Sequence, residues 1–552
     1  MQPKVAKVMR STVLSFLIAA VIGLTSGCGE KSLTNVEYGN QNQILYYGNG
    51  DEPKSLDPHL ITGSPDNNVI MNLFEGLTSK DAATLEPLPG VAESWKISED
   101  QRVYTFQLRK NARWSNGDPV TAKDFVFSWH RALSPAVPNE YAYIMYYLEG
   151  AEEFRKGKHK DFNKVGVKAL SSHSLQITLK YPAHFFLQLL SHHSFYPVHE
   201  ATLMKFGGIA DPISKWILPG NFVGNGPFVL KRWELNKVIE LVKSETYWDK
   251  DAVRLQAAHF YPIEDQQAEE RAYRSGQIHL TNTPQMDIEK IQVYRDKDPD
   301  ALRMVPTYTS YYYEFNVNKK PLDDARVRRA FALAIDRTLI VKNVTKGGET
   351  PAYNFVAPDP VGYEPQVYWH EDVDEARRLL AEAGYPEGRG FPVFTILYNT
   401  HDNHQKVAVT IQQMLKKNLN IDVQLENKEW KVYIAAKKNL EHDIARAGWL
   451  ADYVDPSNFF DIFRSYAGNN NTGWKNADYD RLMQEITAES DKARRFELFE
   501  QANRLLADEM PVLPIYYYSD INLVNPVVQG WYDNVMHYHP LKYVYLQTPS
   551  TP

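Results

Sequence analysis

Several features are scarce in this sequence, and each scarcity excludes a class of protein. Among 552 residues there is one cysteine, Cys28, so no disulfide within the chain supports the fold. Lys and Arg number 61 against 68 Asp and Glu, and the formal net charge is -7. An acidic chain is a poor candidate for binding nucleic acid or an anionic membrane through a broad basic face. We therefore expect no nucleic-acid partner.

Long apolar runs and catalytic signatures are also scarce. Beyond residue 27, no stretch approaches the roughly 18 uncharged apolar residues of a membrane-spanning helix. The sequence contains none of the motifs G-x-x-x-x-G-K-[ST], G-x-S-x-G and H-E-x-x-H. His401 and His404, like His537 and His539, are spaced as metal ligands could be, but they have no acidic or cysteine partner at ligand spacing. We expect packing or surface histidines, and neither a metal nor a cofactor.

The first 27 residues have the layout of a secretion signal. Lys4, Lys7 and Arg10 precede an uncharged, mostly apolar stretch at 13–24, and small residues then lead to Cys28. The apolar stretch is too short to span a bilayer comfortably. A cysteine after small residues at the end of such a signal resembles a lipobox, in which the thiol is lipidated and becomes the mature N-terminus.

Two interpretations of Cys28 remain open. Thr25 stands where a lipobox usually has Leu, and Leu24 lies one place early. The alternative is an ordinary secretory signal followed by an incidental cysteine. Either interpretation predicts that the chain leaves the cytoplasm. Residues 28–42 are polar and contain Gly and Asn, which predicts a flexible tether.

Local patterns predict an α/β protein. Residues 103–108 and 174–179 alternate in polarity as strands do. The second half alternates helical and strand patterns, with Asp323 as a candidate helix cap and Gly384 as a candidate helix end. Such architectures bind ligands in a crevice at strand ends or between domains. The 34 Tyr and 11 Trp suit a ligand cleft because their rings pack well and carry a polar tip.

Residues 310–316 form one candidate binding segment. If they form a strand, Tyr311 and Tyr313 face one side, while Tyr312 and Glu314 face the other. A carboxylate that shares a strand face with a phenol could bind a cation or an amide. The alternative is a buried strand whose Glu314 pairs with an arginine.

Residues 445–453 form the second candidate segment. Gly448 lets the backbone come close to a ligand, Trp449 offers a flat apolar wall, and Asp452 follows three residues later. Arg446 supplies the opposite charge nearby. The alternative, equally compatible with composition, is a structural turn that contains an ion pair.

Ordered motifs along nearly the whole mature chain carry a resemblance to a known family. The chain resembles the periplasmic oligopeptide-binding proteins of ABC importers, within the peptide- and nickel-binding class of solute receptors. The motifs are SLDPH at 55–59, NLFEGL at 72–77, PGVAESW at 89–95, YTFQLRKNARWSNGDPVTAKDFVFSW at 104–129, NGP at 225–227, YRSG at 273–276, YYYE at 311–314, RVR at 326–328 and RAGWLADY at 446–453.

The resemblance implies a role for each matched position. Asp452 would pair with the α-ammonium of a bound peptide, with Tyr141 and the segment around Glu314 lining the same region. Arg446 and His404 would take the peptide carboxylate, which suits a guanidinium. Other implied peptide-binding residues are Trp430 and Trp449 as walls of side-chain pockets, Asn282 near the peptide main chain, and Gly448, Tyr312, Thr309 and Ser64.

The sequence departs from the family at several positions. Thr62 and Ser64 stand where the family has a glutamate and a valine, and Thr309 replaces a cysteine of a close relative. The family's carboxylate-binding lysine does not align, because Thr345 occupies that register. The resemblance therefore implies a retained amino-terminus anchor, and it does not fix the carboxylate anchor or the peptide length.

The resemblance implies a two-lobed periplasmic-binding-protein fold of class II, α/β, with an extra domain and a hinge between the lobes. The expected division is a signal peptide at 1–27, a lipidated tether at 28–42, lobe I at 43–77, 202–306 and 520–552, an extra domain packed on lobe I at 78–201, and lobe II at 307–519. The expected protein is a monomeric, lipid-anchored receptor without enzymatic activity, at the outer face of the cytoplasmic membrane or in the periplasm. It would deliver short peptides to the permease subunits of an ABC transporter.

Two alternatives remain open on the sequence alone. The same fold could bind another cargo, such as a murein peptide, a nickel chelate or haem. From a different class, the aromatic and acidic residues are compatible with a secreted carbohydrate-active enzyme. Such an enzyme needs two carboxylates facing one cleft, and the sequence nominates no such pair.

Overall fold

The computed structural model describes residues 33–211, 214–282, 288–358 and 362–547, so the predicted signal peptide and Cys28 lie outside the described residues. The strands are β1 Ile44–Gly48, β2 Thr78–Lys80, β3 Pro87–Pro89, β4 Ala92–Ile97, β5 Val103–Leu108, β6 Val167–Ser171, β7 Ser174–Thr178, β8 Phe228–Glu234, β9 Val238–Lys243, β10 Ala257–Tyr261, β11 Leu302–Phe315, β12 Thr350–Pro351, β13 Phe394–Asn399, β14 Val423–Lys428, β15 Ile444–Leu450, β16 Val512–Leu523, β17 Val528–Gln529 and β18 Tyr545–Leu546.

The helices alternate with these strands, most densely in the second half. They are α1 Asn35–Asn42, α2 Ser64–Leu73, α3 Ala122–Leu133, α4 Ala151–Arg155, α5 Phe186–Leu189, α6 Glu200–Lys205, α7 Gln266–Arg274, α8 Ile288–Lys297, α9 Ala325–Leu333, α10 Arg337–Leu339, α11 Val373–Glu382, α12 Asp402–Leu419, α13 Trp430–Lys438, α14 Ser457–Phe460, α15 Ala477–Ala488 and α16 Lys492–Glu509. Within the described ranges, no helix combines the length and the apolar character needed to cross a membrane.

Two four-stranded sheets share one hydrophobic core. The first has the order β1-β10-β9-β8, and the second is antiparallel with the order β4-β5-β7-β6. Leu45 and Phe260 from the first sheet belong to the same buried cluster as Phe106 and Ile177 from the second. The strands predicted at 103–108 and 174–179 are confirmed as β5 and β7.

A six-stranded mixed sheet with the order β12-β16-β11-β15-β13-β14 organises the rest of the chain. Strand β11 places Tyr311 and Tyr313 in a core on one face, and Tyr312 in a core on the other. This alternation is the one that the sequence predicts. Because helices cover both faces of a sheet that contains parallel pairs, the predicted α/β class is confirmed.

Two helix caps differ by small shifts from the sequence expectation. Asp324, and not Asp323, is the N-cap of α9, since its side chain accepts the backbone N–H of Arg326. Asp372 caps α11, and Gly384 lies just beyond the end of this helix with φ +100°, a conformation that favours glycine.

Residues 35–42 correct the prediction of a flexible tether. They form helix α1, which Thr34 and Glu37 begin with reciprocal side-chain to backbone hydrogen bonds. Val36 is buried, and a Cβ on Gly39 would lie 2.3 Å from the carbonyl oxygen of Ile44. A short polar helix has little intrinsic stability, so this packing holds it in place.

Strands β11 and β16 connect the two halves of the structure. They pair antiparallel over most of their length, from Leu302 opposite Leu523 to Glu314 opposite Val512. The pairing shifts register between Pro306 and Ser310, close to the predicted lobe borders at 306/307 and 519/520. Such an irregularity bends and twists a strand pair. The two lobes therefore meet at a locally interrupted two-stranded connection.

Substitution of Gly226 should destabilise the fold. A Cβ on Gly226 would lie 2.5 Å from the backbone carbon of Leu73 and the backbone nitrogen of Phe74, so the backbone must move. We expect Gly226→Ala to lower the free energy of unfolding by about 1–3 kcal/mol. Gly468→Ala is the matched control, because a Cβ there meets no atom within 4 Å. Urea unfolding would contradict the packing if both variants were equally stable.

Candidate functional site

Two neighbouring strands of the six-stranded sheet carry many of the predicted binding residues. Strand β15 carries Arg446, Gly448 and Trp449, and Asp452 lies two residues beyond its end. Strand β11 runs antiparallel beside it, with Thr309 opposite the last residue of β15. Because side chains alternate along a strand, the sheet divides these residues between its two faces.

Asp452 is a largely buried carboxylate surrounded by neutral hydrogen-bond donors. Its Oδ2 accepts from the Tyr143 hydroxyl at 3.3 Å and from the Asn458 amide at 3.5 Å. The Tyr141 hydroxyl also donates to this carboxylate. Burial raises the pKa of Asp452 to about 6, and the donors together with the charge on Lys80 offset only part of that effect. The ionised carboxylate is therefore under-compensated, as a cation-binding group would be.

Asp452 lines a cavity of about 110 Å³ whose lining comes from segments assigned to both predicted lobes. We call it the Asp452 cavity. Its lining includes residues from widely separated segments: Ser64, Lys80, Tyr141, His192, Asp452 and Tyr538. Three of the predicted binding residues, Ser64, Tyr141 and Asp452, are thus brought together. A ligand held here would contact all of these segments.

Lys80 also lines the Asp452 cavity and carries a positive charge there. Its ammonium lies 4.7 Å from the centre of the Tyr538 ring, at a distance typical of a cation–π contact. Burial lowers the pKa of Lys80 to about 8, although the charge on Asp452 acts in the opposite direction. Burial also lowers the pKa of His192 well below its usual value and that of His193 to about 4, so both are neutral at pH 7.

Arg446 and His404 form a second group of predicted binding residues, on either side of Tyr311. The Arg446 guanidinium lies 4.7 Å from the centre of the Tyr311 ring, and the Tyr311 hydroxyl is 3.5 Å from His404 Nδ1. Arg446 Nη1 donates to Asn399 Oδ1 at 3.3 Å, and Nη2 donates to the Tyr518 hydroxyl. Burial and then the charge of Arg446 lower the pKa of His404 well below its usual value.

Arg446 has no anionic partner among the residues that the structure describes. None of them offers it a carboxylate within 4.0 Å, and its buried Nε lacks a hydrogen-bond partner there. Burying an unpaired charge is costly, and a guanidinium favours a carboxylate. Gly448 is exposed next to it, and a Cβ there would make only ordinary contacts, the shortest being 3.4 Å to Arg446 Nη2. The arrangement can therefore accept an anion.

Glu314 does not lie beside Asp452. It pairs opposite Ala445, seven residues before Asp452, which is about 20 Å along an extended strand. The Glu314 carboxylate contacts Lys437 Nζ at 2.9 Å and accepts from the Tyr312 hydroxyl at 3.4 Å. The expectation that the segment around Glu314 lines the same region as Asp452 is therefore wrong at Glu314. The buried ion pair that the sequence analysis left open exists, with a lysine in place of an arginine.

The remaining predicted residues lie around these groups. Trp449 Nε1 donates to Asn458 Oδ1 at 2.8 Å, so Trp449 is linked to Asp452 through one amide. Trp430 begins helix α13, and its side chain lies outside the described part of the structure. Asn282 Oδ1 accepts from the Tyr47 hydroxyl at 3.1 Å and contacts His537 Nε2 at 2.7 Å.

Several residues of the site give no signal in the sequence analysis. They are Lys80, Tyr143, His192, Lys437 and Asn458. Thr78 and Lys80 are both buried and lie on the same side of β2. The alternation of side chains along this three-residue strand is the one local pattern that places Lys80 inside. His537 Nδ1 lies 2.6 Å from Asp520, which makes it an ion-pair partner instead of the metal ligand that its spacing to His539 allows. The other contacts join distant segments and have no local signature.

Comparisons with known proteins agree on one family. The family profile of the bacterial extracellular solute-binding proteins, family 5 Middle, matches residues 86–471. The periplasmic oligopeptide-binding protein OppA of Escherichia coli is 40% identical over 499 residues, which cover 89% of this chain and 90% of that protein.

Solved structures extend the agreement to the whole fold. Haemophilus influenzae OppA in complex with the peptide RPPGFSPFR has a TM-score of 0.83 at 34% identity, covering 92% of this chain and 99% of that one. The Escherichia coli murein tripeptide-binding protein MppA has a TM-score of 0.84 at 34% identity, covering 91% and 98%. An unliganded open form of MppA has a TM-score of 0.71 at 34% identity, covering 92% and 98%. This chain is thus more similar in overall arrangement to the MppA structure with a TM-score of 0.84 than to the unliganded open form of MppA.

Breaking the pair between Glu314 and Lys437 should destabilise the protein. The two side chains are 3% and 9% exposed, so Glu314→Gln leaves a buried ammonium without its partner. We expect this variant to lower the free energy of unfolding by about 3–5 kcal/mol, and the double variant Glu314→Gln/Lys437→Met to recover most of it. The exposed pair of Lys416 and Asp422 provides the control, because Asp422→Asn should change stability by less than about 0.5 kcal/mol. Equal effects of Glu314→Gln and Asp422→Asn in denaturant unfolding would contradict the assignment.

Proposed function

Because the chain belongs to the bacterial extracellular solute-binding proteins of family 5, we propose that it captures short peptides between its two lobes and delivers them to an ABC transporter permease. The observation that carries this proposal is the separation of two opposite charges, neither of which has a charged partner within 4.0 Å among the described residues. Asp452 offers a carboxylate just beyond the end of β15, and Arg446 offers a guanidinium six residues earlier, on that strand. A free peptide carries the complementary charges at its two ends.

The Asp452 environment supports an amino group as its partner. The carboxylate is surrounded by hydroxyl, amide and neutral imidazole groups, and its raised pKa shows that these do not fully stabilise the charge. An α-ammonium can approach the carboxylate at ion-pair distance, which Lys80 does not, and it brings three N–H donors. An ion pair in this setting is favourable only if both partners are hydrogen-bonded, and Tyr143 and Asn458 already donate to Oδ2 of the carboxylate.

The connection between the lobes supports a hinge. Strands β11 and β16 carry the chain from one lobe to the other, and their pairing is interrupted between Pro306 and Ser310. The Asp452 cavity takes residues from both lobes. A ligand that contacts both lobes binds the closed arrangement better than an open one, and this difference in affinity shifts the equilibrium toward closure.

The place of action follows from the N-terminal segment. We propose export by residues 1–27 and lipid attachment at Cys28, which holds the receptor at the outer face of the cytoplasmic membrane. Since α1 packs on the protein from Asn35, the tether is confined to the residues before it. The receptor acts as a monomer without enzymatic activity, and its partners are short peptides and the permease subunits.

A second cargo has a specific observation in its favour. MppA, whose structure matches this chain with a TM-score of 0.84, is described as a murein tripeptide-binding protein. A murein peptide lacks a free α-amino group when it is still attached to a sugar, so such a ligand would not need Asp452. A glycosidase would require two carboxylates in one cleft. Of the described residues that line the Asp452 cavity, only Asp452 is acidic.

Removing the charge of Asp452 should weaken peptide binding. We expect Asp452→Asn to reduce the affinity for a free tripeptide by about 2–4 kcal/mol, because the peptide ammonium would then be buried without a partner. An N-acetylated tripeptide should bind the wild type weakly and should lose little more in the variant. Asp422→Asn, at an exposed position, is the control. If calorimetry gave equal affinities for wild type and Asp452→Asn, the assigned role would be wrong.

The affinity for free peptides should fall as the pH is lowered. The pKa of Asp452 in the free protein is raised to about 6, so the carboxylate is ionised at pH 7.5 and mostly protonated at pH 5. Lys80, with a pKa of about 8, stays mainly cationic over this range. We expect about a tenfold loss of affinity between these two pH values. Fluorescence or calorimetric titrations at each pH measure it, with Asp452→Asn as the variant that should lack this step. A flat profile in the wild type would contradict the assignment.

A further inference from the structure

The charges of the Asp452 cavity are balanced before a peptide enters. Asp452 contributes one negative charge and Lys80 one positive charge. His192 and His193 are neutral at pH 7 because burial lowers the pKa of each. His537 is paired with Asp520, so these two groups cancel. An added α-ammonium therefore leaves a net positive charge in a buried site, which is unfavourable.

The net positive charge that would follow from binding an α-ammonium is due to Lys80. Its side chain is 8% exposed and lines the cavity at the end of β2. Among the described residues, none offers it an ion pair within 4.0 Å. Its ammonium lies over the Tyr538 ring at 4.7 Å, and a cation–π contact is weaker than a buried ion pair. Lys80 is thus a nearly buried ammonium, without a carboxylate partner, that faces the proposed peptide site.

We propose that Lys80 is a specificity-determining residue that receives the side-chain carboxylate of an acidic first residue of the peptide, while Asp452 holds the α-ammonium of the same residue. This inference rests on the proposed function. The two ligand charges are carried by one Cα, and the two protein charges line one small cavity, so a single residue can meet both. The ligand then brings one positive and one negative charge, and the buried site stays neutral.

The alternative for Lys80 is an internal counter-ion that competes with the peptide ammonium for Asp452. The two interpretations predict different results for peptides. A competing lysine would weaken all peptides by one factor, and its removal would strengthen all of them equally. A lysine that receives a carboxylate changes the ratio between acidic and neutral first residues.

The test compares Glu-Ala-Ala with Gln-Ala-Ala by calorimetry at pH 7.5, in the wild type and in Lys80→Met. Met keeps the length and apolar character of the lysine stem, and Lys416→Met, at an exposed position on α12, is the matched control. Ala-Ala-Glu serves as the position control, since its acid is far from the ammonium. We expect the wild type and Lys416→Met to bind Glu-Ala-Ala about tenfold or more tightly than Gln-Ala-Ala. Tenfold corresponds to the smallest coupling energies measured for close, desolvated charge pairs. In Lys80→Met, the ratio of the affinities for Glu-Ala-Ala and Gln-Ala-Ala should fall to about one. The ratio of the affinities for Ala-Ala-Glu and Gln-Ala-Ala should be the same in this variant as in the wild type.

The outcomes separate this inference from the proposed function. Equal affinities of Glu-Ala-Ala and Gln-Ala-Ala in the wild type would overturn the inference and leave peptide binding intact, and this comparison does not depend on the folding of any variant. An equal gain for both peptides in Lys80→Met, with an unchanged ratio, would also overturn it and identify Lys80 as a competing counter-ion. Failure of every free tripeptide to bind the wild type would overturn the proposed function and the inference with it.

Discussion

The function that we propose depends on a carboxylate whose charge the protein only partly stabilises. Asp452 lies between hydroxyl and amide donors at the contact of two lobes, and burial raises its pKa to about 6. If its neighbours included a close arginine, the site would be a structural ion pair with no reason to bind a cation. Asp455 shows that contrast a few residues away, because Arg495 contacts both of its oxygens at 2.6 and 2.7 Å. On neighbouring segments, the chain thus contains one aspartate in a buried ion pair, Asp455, and one without a close cationic partner among the described residues, Asp452.

In the function that we propose, occupancy of this acid controls lobe closure. Asp452 follows strand β15, which lies next to β11 in the large sheet, and β11 continues into the other lobe. Tyr141, His192 and Lys80, from a distant part of the chain, line the same cavity as the carboxylate. Arg446 on the same strand supplies the opposite charge, likewise without an anionic partner in the described part of the chain. A ligand with charges at both ends joins these groups, so its binding and the closed arrangement favour each other.

The sequence predicts what depends on local pattern. Alternation at 310–316 divides Tyr311 and Tyr312 between two faces, and the structure agrees. The cap of α9 is displaced by one residue, since adjacent aspartates at 323 and 324 both suit the role and geometry selects the second. Helix α1 was missed because a short polar helix depends on tertiary contacts that no local pattern shows.

The site was predicted least well where distant segments meet. Glu314 finds its partner Lys437 more than a hundred residues further along the chain, on helix α13, and nothing near Glu314 indicates which cation would reach it. Lys80 enters the Asp452 cavity only because strand β2 lies at the lobe contact. The family resemblance identified Asp452, Arg446 and Tyr141, and it was silent on Lys80, whose charge changes what the cavity favours.

The central claim is that the cleft selects ligands by their two free, charged ends. Native mass spectrometry tests it most directly. The protein is first unfolded and refolded to remove bound ligand, and it is then incubated with an equimolar mixture of one tripeptide in its free, N-acetylated and C-amidated forms. The account predicts that the complex retains the free tripeptide almost exclusively. Retention of all three forms in equal amounts would contradict it.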